Sequence, residues 1–145
     1  MLYTIGFTRK SAQNFFSAIK AASVRTVVDV RLRTSSQLAG FAKQADLKYF
    51  LHELCQAEYV HVLELAPTGE LLDSYKKHRG SWPEYERAFL QLIREREIER
   101  RLDPSLFRDA CLLCSEHLPD HCHRRLVAEY LNEAWGTQLV IKHLK

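Results

Sequence analysis

The run Thr26-Val27-Val28-Asp29-Val30 constrains this chain more than any other segment. It is β-branched and apolar at successive positions, so a strand made of it is apolar on both faces and needs a helical layer on each side. Short apolar runs alternate along the chain with longer stretches of helical period, the pattern of an α/β protein with a mostly parallel sheet. The length agrees with this. A chain of 145 residues buries roughly 70% of its unfolded surface and needs neither disulfides nor a metal to be stable. We therefore expect residues 1–145 to form a single three-layer α/β domain with about five mostly parallel strands.

The remaining elements follow from pattern. Leu2 to Ile5 is a first strand ended by Gly6, and Ser11 caps a helix whose apolar positions Phe15, Phe16, Ile19 and Ala22 recur three or four apart. The segment RLRTSSQLAGFAKQ has no clean period and reads as a long loop after the second strand. Lys43 to Ala57 is expected as a helix, Tyr59 to Leu63 as a third strand, Leu71 to His78 as a short helix and Trp82 to Arg101 as a long one. The end of that long helix, REREIERR, alternates charge at helical spacing and reads as a solvated face. Ala110 to Cys114 and Leu139 to His143 supply the last two strands.

No apolar run approaches the roughly 20 residues that span a bilayer, and the opening MLYTIGFTRK lacks the basic-then-apolar pattern of a signal peptide. A cytoplasmic location with no membrane partner is the expectation, and the four cysteines then read as reduced thiols. The net charge of +3 permits a nucleic-acid partner without arguing for one.

The chemistry concentrates in Cys111 to His123, where three of the four cysteines and three of the seven histidines fall together, with Arg124 and Arg125 directly after. In an open parallel sheet, ligands sit outside the carboxyl ends of the strands. This segment is such a junction. Cys114 closes a strand, Pro119 interrupts the loop, and a helix is expected to start near His121. Its unpaired N–H groups favour an anion, and Arg124 adds a guanidinium fork suited to phosphate.

Three readings compete at this junction. In the first, Cys122 at the helix N-terminus, beside His123 and Arg124, is a thiolate nucleophile, with Cys114 as second candidate or resolving partner. In the second, Cys114, His117, His121, Cys122 and His123 offer ligands for zinc, at a spacing that matches no standard zinc finger. In the third, the cysteines are small buried apolar residues and His117 and His121 are solvated. Around them, Asp29 is either catalytic or half of a structural ion pair with a basic residue at the strand ends, and Asp29 and Arg31 are expected to face different layers. Arg31 and Arg33 are expected to join Arg124 and His123 around an anion. Glu116 is a candidate general base, metal ligand or anchor for Arg124. His61 reads as a packed strand residue, and Trp82 as packing at the start of its helix.

The ordered motifs TIG, VVDVR with a basic, Ser-rich loop ending in GF, YVHVLEL and LLCSE followed by HCHR resemble the family catalogued as domain of unknown function 488. The resemblance spans nearly the whole chain. It implies an α/β fold and a pocket, with Asp29, Arg31, Gly40, Phe41, Glu116, Cys122, His123 and Arg124 at motif positions, and no established reaction. Phe7 stands where the family usually has His, and Leu65-Ala66-Pro67 where it usually has LGG.

The expected function is a pocket at the carboxyl edge of the sheet that takes a phosphate-bearing ligand, a nucleotide or nucleic acid, with Cys122, Glu116 and Asp29 as catalytic candidates. The alternative is a metal- or redox-sensing Cys/His module without catalysis. No cofactor is legible in the sequence.

Overall fold

The sheet carries five parallel strands, the number the apolar runs predict, in the order β3-β2-β4-β1-β5. In the computed structural model, which describes residues 1–34 and 40–145, these are β1 Leu2–Gly6, β2 Thr26–Asp29, β3 Glu58–His61, β4 Ala110–Cys114 and β5 Ile141–His143. The helices are α1 Ala12–Ala21, α2 Gln44–Phe50 with a wider turn over Leu51–Cys55, α3 Gly69–Lys76, α4 Trp82–Glu95, α5 Ile98–Arg101 and α6 His123–Ala134. No helix is long and apolar enough to cross a membrane among the described residues.

Strand alternation sorts the side chains into two cores. Ala110, Leu112 and Cys114 join Val28, Val30 and the buried faces of α4 and α6, including Phe89, Ile93, Val127 and Leu131. Cys111 and Leu113 point the other way, into Tyr3, Ile5, Phe7, Val27 and the buried residues of α1 and α2. β1 and β2 therefore send the chain to one face, while β4, which pairs with both, sends it to the other. In an open parallel sheet a pocket forms where outgoing connections diverge in this way. The end of β4 is that point.

Ser11 caps α1 as expected, its Oγ accepting from the Asn14 N–H at 3.1 Å. The long helix expected over Trp82 to Arg101 is broken instead. Glu97 takes a left-handed conformation (φ 52°), which turns Ile98 into the core, where it is fully buried. Arg96 holds the end of α4 by donating to the carbonyls of Glu64 at 2.8 Å and Ala66 at 2.6 Å. The helix expected near His121 starts at His123, with Cys122 in extended conformation before it. The part of the long loop expected after β2 that covers residues 35–39 lies outside the described residues.

Candidate functional site

Burying Asp29 in the apolar strand β2 requires partners, and it has four. Oδ1 accepts from the Arg31 backbone N–H at 3.1 Å and from Arg31 Nε at 2.9 Å; Oδ2 accepts from Arg31 Nη2 at 2.7 Å and from the Tyr59 hydroxyl at 2.6 Å. The expectation that Asp29 and Arg31 face different layers is corrected by these bonds. Residues two apart on an extended chain share a face, because the side-chain period is two. Arg31 Nη2 also donates to the Ala42 carbonyl at 2.8 Å. His61 bonds the Arg31 carbonyl through Nε2 at 2.7 Å. Burial lowers the Arg31 pKa and the Asp29 carboxylate outweighs it, so the net direction is up. Burial first, and Asp29 second, push the Tyr59 hydroxyl up.

One nitrogen of this cluster is left over. Arg31 is 4% exposed, and its Nη1 is buried without a hydrogen-bond partner among the described residues. Its guanidinium lies over the ring of Phe7 at 5.2 Å. The aromatic at position 7 thus supports the cation from one side, which gives the departure from the family's usual His a physical consequence.

At the end of β4 a second buried cluster forms. The sulfurs of Cys114 and Cys122 and a ring nitrogen of His123 all lie within 4.8 Å of one another. His123 Nε2 faces the Val30 carbonyl at 2.7 Å, which fixes the ring so that Nδ1 faces the Cys114 sulfur at 3.7 Å. Phe89 closes the ring edge-on at 5.3 Å. Arg124 is fully buried. It donates through Nη1 to the Glu116 carbonyl at 2.6 Å and through Nη2 to the His117 carbonyl at 3.4 Å. It therefore braces the loop, and it is not among the residues that line the pocket.

The two thiols titrate in opposite directions. The neighbouring Cys122 thiol first, and His123 and Arg124 after it, hold the Cys114 thiol well below the ordinary range against the cost of burial. Burial first, and the Cys114 sulfur second, push Cys122 well above it. Cys122, the thiolate candidate of the sequence, makes no side-chain capping bond at the helix start and is 2% exposed. Burial works against the charged form of His123, and the Cys114 sulfur outweighs it, leaving its pKa raised. All four cysteines are free thiols.

The two clusters share a pocket of about 160 Å³. Its lining includes Arg31, Arg33 and Phe7, the cluster of Cys114, Cys122 and His123, and the aromatic residues Tyr75, Trp82 and Tyr85. Trp82 stacks on Tyr85 at 5.2 Å and on His121 at 5.1 Å. Glu116 lines the rim, paired with Lys76. Glu116, Arg31, Arg33, Cys122 and His123 thus meet in one place, whereas Asp29 sits behind Arg31 and Arg124 behind the loop. His117 does not join the sulfur cluster. The sequence reading passed over Tyr75, Lys76 and Tyr85 as pocket residues and took Trp82 as helix packing. Their stripe on α3 and α4 reads as core from either side, and only the packing of those helices onto the end of β4 exposes part of it to the pocket.

An open parallel sheet with a pocket where its connections diverge, floored by a Cys/His cluster, defines the class. Within it, the chain belongs to the family described as Domain of unknown function DUF488, whose model matches residues 11–131. No curated protein and no solved structure matches the chain.

Proposed function

We propose that this pocket binds a phosphate-bearing ligand, a nucleotide or the end of a nucleic acid, and that the protein acts on it. The observation that carries this reading is the unpartnered Nη1 of Arg31, a buried N–H donor on a cation that lines the pocket. A buried donor without an acceptor costs about 1–3 kcal/mol, and an anionic oxygen in the pocket removes that cost. Arg33 adds a second guanidinium at the same wall. The flat faces of Trp82, Tyr75 and His121 suit a base or another planar group. In this reading Asp29 orients Arg31, Arg124 and His123 shape the floor, and Glu116 holds Lys76 at the rim.

Titration with inorganic phosphate and with a nucleoside monophosphate tests the proposal, read by the fluorescence of Trp82 in a Trp135→Phe background. Both probes are expected to give a saturable change, the nucleotide at lower concentration. Arg31→Lys keeps the charge and loses the planar fork, and is expected to weaken both by about tenfold. Absence of a saturable response to either probe overturns the reading. Elemental analysis of the purified protein decides the alternative: stoichiometric zinc would replace this reading by a metal one.

A further inference from the structure

We infer that Cys114 is a nucleophilic thiolate that attacks the phosphorus of a phosphate ester seated at Arg31. The inference rests on the ligand reading above and adds the reacting atom and the bond it makes. Three observations place the charge on this sulfur. His123 Nδ1 faces Cys114 Sγ at 3.7 Å, and the ring cannot swing away because Nε2 is held by the Val30 carbonyl at 2.7 Å. The Cys122 sulfur lies within 4.8 Å of both the Cys114 sulfur and the His123 ring nitrogen.

The third observation is electrostatic. Arg124 is fully buried, its Nε has no partner among the described residues, and its hydrogen bonds there go to neutral carbonyls. The carboxylate of Glu116, which follows in the same loop, is turned to Lys76 instead. A buried cation costs several kcal/mol unless an anion offsets it. Arg124 favours ionisation of Cys114, as it does of Cys122 and Cys111, and of these three sulfurs Cys114 is the one that His123 Nδ1 faces. The sulfur and Arg31 line the same pocket, so an anionic group held at Arg31 Nη1 is presented to the nucleophile.

The step balances without a further reactant beyond water. The sulfur forms an S–P bond as the ester P–O bond breaks, and the leaving oxygen takes a proton from solvent water. The hydroxide so formed attacks the phosphorus, and the S–P bond breaks with its electron pair returning to sulfur. The products are an alcohol and inorganic phosphate.

Site-resolved alkylation of the folded protein at neutral pH tests the nucleophile, with iodoacetate and iodoacetamide compared by mass spectrometry. Cys114 is expected to react at least about tenfold faster than Cys111 and Cys122, the factor that one pKa unit makes. It is also expected to prefer the anionic reagent more than free cysteine does. Labelling no faster than Cys111 overturns the nucleophile while leaving the ligand reading to its own titration. Fast labelling without that preference removes the anion subsite at Arg31, and the phosphate-ester step with it, while the thiolate stands. The reaction itself is read with para-nitrophenyl phosphate at stoichiometric protein. A burst of para-nitrophenol that Cys114→Ser abolishes is expected, and equal release by wild type and Cys114→Ser overturns the phosphoryl transfer.

Discussion

Two strand ends lie side by side at the pocket, and each buries an arginine in a different way. At the end of β2, Arg31 meets a carboxylate whose two oxygens accept four hydrogen bonds. At the end of β4, Arg124 meets only backbone carbonyls, with a thiol pair and an imidazole close by. The first cluster is internally balanced apart from one guanidinium nitrogen, and it acts as framework. In the proposed function the second is balanced when a sulfur ionises. On that proposal one sheet edge supplies both an anion anchor and a reactive group, the first held by a carboxylate and the second built on a thiol.

Asp29→Asn is the strongest way to break the framework end. It leaves Arg31 charged and buried without its anion, and removal of one partner of a buried ion pair costs about 3–5 kcal/mol. Urea denaturation should show a loss of that size, and phosphate binding should fall with it. A smaller loss would mean that Arg31 turns into the pocket and rehydrates.

Gly6→Ala tests how the two ends are joined. A Cβ at position 6 would stand 1.5 Å from the Glu116 carbonyl oxygen and 3.0 Å from Arg124 Nη1. The carbonyl is backbone of the loop that Arg124 braces, and backbone cannot yield as a side-chain end can. Overpacking of this kind costs about 1–3 kcal/mol, and the displaced loop should slow alkylation of Cys114. Gly40→Ala is the control, since none of the described residues lies within 4 Å of a Cβ there.

Tyr59→Phe removes one of the four bonds to Asp29 and leaves the ion pair. A hydrogen bond to a charged group contributes about 1.5 kcal/mol, and denaturation should report about that much. Reactivity of Cys114 should not change, because the hydroxyl belongs to the framework end alone.

Cys122→Ala sharpens the reactive end by removing the S–H that donates to Cys114. The sign follows from the direction of the shift. The folded protein holds Cys114 below its unfolded pKa, so the thiolate forms at lower pH than in an unfolded chain. Losing the donor moves the inflection of the alkylation rate upward, toward the free value. About one pKa unit is expected, the equivalent of one net hydrogen bond. An unmoved inflection would assign the low pKa to His123 and Arg124 alone.

Much of the fold is legible from residue pattern. Both faces of Val27 and Val28 are apolar, and both are buried against helices; Ala110 to Cys114 begins and ends as read. The break at Glu97 was not legible, because a charge pattern of helical period continues through it and the left-handed turn serves Ile98, whose core position only packing decides. The cysteine-rich segment pointed to the junction where the buried cluster of Cys114, Cys122 and His123 forms, and the choice between its sulfurs was not legible. A helix start favours a thiolate in isolation, whereas here the extended backbone at Cys122 turns its sulfur under the helix toward Cys114.

The class of fold, the face of β4 to which each cysteine points and the family to which the chain belongs follow from local period and ordered motifs. Which charges pair was settled in the tertiary structure. Asp29 took Arg31, Glu116 took Lys76, and Arg124 was left with carbonyls and a sulfur, since pairing depends on distance between strand ends far apart in sequence. The strand order was decided there too. It set β4 between β1 and β2, whose connections leave on the opposite face, and so opened the pocket where Cys114 ends its strand.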